Sequence, residues 1–312
     1  MWKRKGFTLI ELLTVISIIS LLMAILIPTL SGVRQRARAA VCLSNLRQWG
    51  IVYKMYTDEF DGKLPRNYGL FAWYYPIRQY YSDTPELLVC PSAKKPSDTK
   101  GKTGGLPFGG TFLSWGRFAP KGLVAWDRHG SYGLNHWAYK PEIQSVEGNG
   151  GTESSGGYSY SYSYSYSGDS NDSSFSFSWS SSSSSSSGSD GSEGIPKENI
   201  YWDTAYVRNS NNVPLILDSG WLYAYFDADG SPPEDDAIPK VSSINSGNYI
   251  CMDRHNGGIN SVFMDFSVRK VALKELWTLK WHRGFNTAGP WTKAGGVQPD
   301  SWPKWLRKYK DY

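Results

Sequence analysis

Four sets of residues in this 312-residue chain are of types that do chemistry. The first is a lone acid: Glu11 lies in a run from Phe7 to Ile27 that is otherwise apolar apart from Thr8, Thr14, Ser17 and Ser20. A carboxylate in such a run costs on the order of 3 kcal/mol near a bilayer centre and less near its edge, so something must offset it. The second set is His255 and Asp265, ten positions apart. A histidine and a carboxylate invite a hydrolase reading, but no nucleophile at a recognisable elbow accompanies them and they sit on a strand pattern, so a structural role is expected. Third, Asp227 and Asp229 open an acidic, turn-rich loop ending at Asp236. Their oxygens suit calcium, yet the further ligands an EF-hand places at fixed offsets are missing, and a solvated acidic loop is the simpler expectation. Last come Cys42, Cys90 and Cys251, which form no CxxC and no Cys/His metal spacing. In an oxidising compartment two of them could pair and leave one free.

The element that positions Glu11 is a helix. Twenty-one residues from Phe7 to Ile27 rise about 31 Å as an α-helix, close to the hydrocarbon thickness of a bilayer. A secretory signal peptide would have a shorter apolar core and a small-x-small cleavage site, which Ile27 to Gly32 offers poorly. Pro28 removes an amide donor just beyond this run, so a kink or melted turn is expected there. Downstream, Val33, Ala37, Ala40, Ile51 and Met55 share one helical face, interrupted by Ser44 and Gln48, so the helix is expected to continue amphipathically to about Thr57 and to pack that face on a sheet. Composition agrees with an exported, loop-rich protein: 20% charged and 15% aromatic residues, with 32 glycines. The net charge of +5 is spread with concentrations at both ends, and no central basic stripe suggests a nucleic-acid partner.

The basic cluster Lys3-Arg4-Lys5 followed by Gly6-Phe7-Thr8-Leu9-Ile10-Glu11 resembles the type III signal of type IV pilins and type II secretion pseudopilins. That resemblance implies cleavage between Gly6 and Phe7 by a prepilin peptidase and N-methylation of Phe7. It also implies a filament-core pairing of Glu11 with the terminal amine of a neighbouring subunit, where water cannot compete. Arg34, Arg36 and Arg38 balance the N-terminal cluster, so loop charge alone does not orient the helix and the motif does, placing the N-terminus in the cytoplasm. The Asp61-Gly62 turn before Pro65, and Arg254 to Asp265, resemble a pilin-like group common in planctomycete and lentisphaerate bacteria that carries a C-terminal H-x9-D-G motif. Phe266 stands where that group has the glycine of a tight Asp-Gly hairpin turn with positive φ. The segment from Lys274 to Phe285 resembles one recurrent in the same group, with Trp277 and Trp281 four apart as on one helix face. In an exported domain Cys42 and Cys90 become a candidate disulfide between the stem and the first stretch of the globular part, with Cys251 free.

Between residues 148 and 194 the chain turns Ser- and Gly-rich, with Tyr158 to Tyr166 alternating with serine and Phe175, Phe177 and Trp179 in the same rhythm. Period two puts aromatics on one face of an extended chain; a disordered surface insertion and an adhesive β ribbon both fit. The basic, aromatic tail from Trp302 to Lys310 is expected to pack on the domain, with anionic lipid or glycan contact as the rival.

The expected fold is therefore α+β: a leader (1–6), a transmembrane and assembly helix (7–27), its amphipathic continuation (28–57) packed on an antiparallel sheet, and a loop-rich globular domain (58–312) carrying the 148–194 insertion. The expected role is structural, without enzymatic activity and with no cofactor beyond the calcium candidate. Its expected partners are prepilin peptidase, other pilin-like subunits and the inner-membrane assembly machinery. The expected place is the inner membrane, crossed once, with the C-terminal domain periplasmic, or the cell surface once assembled. The rivals are a non-polymerising membrane-anchored protein that binds polysaccharide or mediates adhesion, and an exported hydrolase using His255 and Asp265.

Overall fold

The computed structural model describes residues 8–65, 73–82, 84–97, 108–116, 128–138, 200–236, 247 and 249–312, with the backbone of 159–164 and 175–180. One helix, α1 (Leu9–Glu59), dominates the N-terminal part. Thr8 caps it, and Glu11 reaches back to the Thr8 amide in a reciprocal capping box that satisfies two donors otherwise left open at a helix start. At the other end the Gly62 amide bonds to the Thr57 carbonyl at 2.7 Å, the Phe60 amide bonds to Tyr56, and Asp61 and Gly62 both take positive φ. Glycine suits the second position because its φ of 80° strains an L side chain, and a Cβ there would also meet the Tyr206 ring.

Of the kink or melted turn expected at Pro28, the melted turn is not seen: α1 runs through it. Pro28 removes one backbone bond from a 51-residue helix, and the hydroxyls of Thr29 and Ser31 bond to carbonyls in the same turn. The packed face also differs from the expectation. Cys42, Leu46, Trp49, Tyr53 and Thr57 form the buried stripe, whereas Val33, Ile51 and Met55 are exposed on the opposite side. Both faces carry apolar residues, and the one bearing Trp49 and Tyr53 has the larger surface to bury.

The sheet that receives α1 contains β3 (Tyr132–Asn135), β6 (Pro214–Asp218), β7 (Tyr223–Ala224), β8 (Gly258–Phe263) and β9 (Val268–Ala272), in the order β7-β3-β6-β8-β9. It is mixed rather than antiparallel throughout. The β3–β6, β6–β8 and β8–β9 pairs are antiparallel, but the chain leaving β6 reverses over Ser219 to Leu222, passes the end of β3 and pairs parallel on its far side. Helix α1 lies against β8, β9 and β6. Every residue of β6 and β8 is buried, so both faces of the sheet's centre are covered, which is why Pro214 to Leu217 reads as an unbroken apolar run. Gly50 lets the stem come close to the β8–β9 hairpin: a Cβ there would sit 3.1 Å from the Phe266 carbonyl oxygen.

Three smaller findings complete the frame. The β8–β9 turn is tight although it lacks glycine: Phe266 adopts φ 63° itself, its amide bonded to Phe263 O and its ring half-buried against the core with the Lys54 ammonium 5.9 Å away. Trp277 and Trp281 do not share a helix face, because the 3₁₀ turn Leu273–Thr278 ends between them. They meet instead on Phe226, at 4.9 and 4.7 Å. In the tail, Trp302 and Leu306 are buried in the same core, and Lys274 bonds to Asp311 at 2.7 Å. Away from the main sheet, β1 (Lys95–Pro96) pairs parallel with β2 (Leu113–Ser114). Within the Ser/Tyr-rich segment β4 (Ser159–Tyr164) pairs antiparallel with β5 (Phe175–Ser180), with Tyr160 opposite Trp179 and Tyr162 opposite Phe177; the rest of 148–194 lies outside the described residues.

Candidate functional site

Two regions hold the residues of interest: the free half of α1 and a buried cluster where its second half meets the sheet. From Leu9 to Ile27 every residue of α1 is exposed, leucines, isoleucines and valines included. A helix apolar on all sides is stable only where lipid or other protein surrounds it, and this one is long and apolar enough to cross a membrane. Gly6 and Phe7 lie outside the described residues. Glu11 Oε2 accepts from the Thr8 amide at 2.8 Å and the Thr8 hydroxyl at 2.7 Å, so within one chain the acid is a helix-start residue.

At the foot of the stem the chain brings together residues that are far apart in sequence. Cys42 is on the buried stripe of α1, Cys90 follows the 3₁₀ turn Pro85–Leu88, Asp218 ends β6, and His255 stands in the turn before β8. All four are buried, and one ligand-type atom from each lies within 4.8 Å of the others. His255 Nε2 is 3.1 Å from Asp218 Oδ2 and 3.5 Å from Cys90 Sγ; Cys42 Sγ lies 3.6 and 3.7 Å from the two Asp218 oxygens. Arg254, wholly buried, donates to Asp218 Oδ1 at 3.0 Å and to the carbonyls of Gly110, Thr111 and Ser131. The Asn260 amide donates to Asp218 Oδ2 at 2.8 Å, and the Tyr132 hydroxyl to Cys42 Sγ at 3.4 Å.

These contacts set the charges. Burial pushes the Asp218 carboxyl up, but the charges of His255 and Arg254 and the Asn260 amide outweigh it and hold it at about 2. Burial pulls the His255 ring down, and Asp218 with the Cys90 sulfur reverses this, raising it to about 9. Burial and the neighbouring Cys90 and Asp218 push the Cys42 thiol well up. For Cys90 burial is opposed by the Cys42 hydrogen bond and by His255, which bring it down to about 6. These directions set two acidic groups, Cys90 and Asp218, against two basic ones, His255 and Arg254, inside the core.

The sequence candidates thus scatter. Cys42 and Cys90 do meet, as two free thiols, and Cys251 is buried and free as well. Asp265, grouped with His255 by its spacing in the sequence, is exposed on the β8–β9 turn, where its carboxylate accepts from the Ser267 amide and hydroxyl. A turn between two strands projects into solvent, which is why ten residues of separation do not bring it back to His255. Asp227 is half-buried and Asp229 exposed, and neither joins a group of three His, Cys, Asp or Glu ligands among the described residues. Asp218 and Arg254 were missed as site residues. The available signal was an acid closing the apolar run Val213 to Leu217, a position that burial permits only with a partner.

Residues 3–27 match the family described as a prokaryotic N-terminal methylation motif. No curated protein and no solved structure matches the chain. The matched segment covers the basic cluster, the Gly6-Phe7 junction, Glu11 and the exposed apolar half of α1. It supports a prepilin-type, pilin-like protein with a methylation motif and a transmembrane-length helix.

Proposed function

We propose that this chain is a pilin-like structural subunit rather than an enzyme. A prepilin peptidase cuts it after Gly6, Phe7 becomes the methylated N-terminus, and α1 anchors it in the inner membrane with the C-terminal domain on the periplasmic side. The inner-membrane assembly machinery then polymerises it with other pilin-like subunits through the stem, into a type IV pilus or a type II secretion pseudopilus. The observation that carries this reading is the coincidence of the methylation motif with a helix whose first nineteen residues, Leu9 to Ile27, are all exposed. A further observation favours assembly over simple anchoring. Beyond the membrane-length run, Val33, Val41, Ile51 and Met55 stay exposed on the side of α1 turned away from the sheet, so apolar residues, interrupted by Ser44 and Gln48, continue along the stem where a neighbouring stem would pack.

The test uses the native host. Mature protein is expected to start at N-methyl-Phe7 by mass analysis and to appear in sheared filaments by electron microscopy. An intact Met1, or a cut near Gly32, overturns the processing. Correct processing without filaments under any growth condition leaves the membrane-anchored surface binding protein as the function.

A further inference from the structure

We propose that Cys42, Cys90, Asp218 and His255 form a closed tetrahedral site for zinc, which clamps the stem helix to the globular domain. Zinc bonds of about 2.3 Å to sulfur and 2.0–2.2 Å to nitrogen and oxygen place tetrahedral ligand atoms about 3.3–3.8 Å apart. In this protein the Cys90–His255 contact is 3.5 Å, the Cys42–Asp218 contacts are 3.6 and 3.7 Å, and His255–Asp218 is 3.1 Å. The widest separation, within 4.8 Å, closes with a contraction of about 1 Å. Two sulfurs, one imidazole nitrogen and one carboxylate oxygen are a donor set that prefers zinc to magnesium or calcium.

The arrangement around the histidine separates this reading from a catalytic one. A Cys-His-Asp triad uses opposite ring nitrogens, one for the nucleophile and one for the acid. Here Cys90 and Asp218 both approach Nε2, as ligands around a common point do. The four residues are also buried, which suits a structural metal with no open position and leaves a substrate no way in. Two of the ligands are also held from outside: Tyr132 donates to the Cys42 sulfur, and Asn260 and Arg254 donate to Asp218, whereas His255 Nδ1 is buried without a hydrogen-bond partner. Charge balances too. Binding a dication expels two protons, one from the Cys42 thiol and one from the Cys90–His255 pair. Two thiolates and a carboxylate then face the dication and the Arg254 guanidinium, with no net charge left in the core.

The clamp joins four separate parts of the chain: α1, the segment after Pro85–Leu88, the end of β6 and the turn before β8. Cys42 and Asp218 are 176 residues apart and Cys90 and His255 are 165 apart, so the metal would close long loops through the place where stem and domain meet.

The experiment uses the full chain purified in detergent without chelator. Elemental analysis is expected to find one zinc per chain, kept in Cys251→Ala and lost in Cys42→Ser and in Cys90→Ser. Because those variants could fail to fold, the wild type is also stripped with chelator and refilled with cobalt(II) alone. The expected spectrum has thiolate-to-cobalt charge-transfer absorption and the intense visible bands of a tetrahedral ion, and refilling should shield Cys42 and Cys90 from alkylation. A folded chain that carries no metal and gives no such bands overturns the proposal, as does a non-reduced peptide map showing a Cys42–Cys90 disulfide.

Discussion

Substituting Glu11 separates two roles that the stem assigns to one carboxylate. Within a single chain, Oε2 accepts two hydrogen bonds from Thr8, at 2.8 and 2.7 Å, and completes the capping box that starts α1. Losing such a cap costs about 1 kcal/mol, roughly a fivefold change in an equilibrium. In the proposed filament the same carboxylate neutralises a neighbour's terminal amine, and removing one partner of a buried pair costs about 3–5 kcal/mol, or two to nearly four decades. Glu11→Gln keeps an oxygen able to close the capping box but removes the charge; Glu11→Val removes both and makes the helix more apolar. Both variants are expected to insert and to be cut after Gly6, because the peptidase reads the glycine and the basic residues before it. Both are then expected to lose filaments to a similar extent, since the charge outweighs the cap. The assay combines membrane fractionation, N-terminal mass and quantified sheared filaments. If Glu11→Gln is processed, membrane-bound and as filamentous as wild type while Glu11→Val is reduced about fivefold, the acid is a helix cap and the amine pairing is wrong.

Trp49→Ala is expected to lower the unfolding temperature by on the order of 10 °C, from a cost of about 3–5 kcal/mol. The residue is fully buried, lies 4.8 Å from Trp73 and donates to the Leu87 carbonyl, whereas Ile51→Ala on the exposed face should change monomer stability by less than about 0.5 kcal/mol. A large loss from Ile51→Ala instead would mean that the opposite face packs. His136 is buried beneath Tyr225 and held at about 3 by desolvation, below its ordinary 6.5. The unfolded chain therefore binds this proton first, so its contribution is whole above about pH 6.5 and is lost as pH falls toward 3. Between pH 6.5 and 5 the loss is about 2 kcal/mol, and His136→Phe should flatten that part of the pH dependence of thermal unfolding in detergent; an unchanged slope refutes it. Deleting Glu153 to Ser189 should leave the domain folded, because among the described residues β4 and β5 pair with each other and with no strand of the main sheet; circular dichroism showing loss of the folded state would place those aromatics in the core.

The membrane-length helix and the methylation motif were legible in the sequence because each is local: twenty-one consecutive residues set the length, and the motif's residues are neighbours along the chain; the capping box that joins Glu11 to Thr8 came only with the structure. The hairpin from Gly258 to Ala272 was legible in its strands, for the same reason. Only the tertiary structure decided which face of α1 packs, since Val33, Ile51 and Met55 make as good a helical stripe as Leu46, Trp49 and Tyr53 until a sheet is present to bury one of them. It also decided the company of His255. Spacing along the chain pointed to Asp265, ten residues on, but a strand carries a residue about 3.3 Å farther at each step, and the turn at its end faces solvent. The partner is Asp218 because antiparallel pairing of β6 with β8 sets the end of one strand beside the start of the other, a proximity that no count of residues along the sequence contains. Cys42 and Cys90 join Asp218 and His255 for the same physical reason: when side chains come from a helix, a loop, a strand and a turn, folding fixes the distances between them and sequence separation does not.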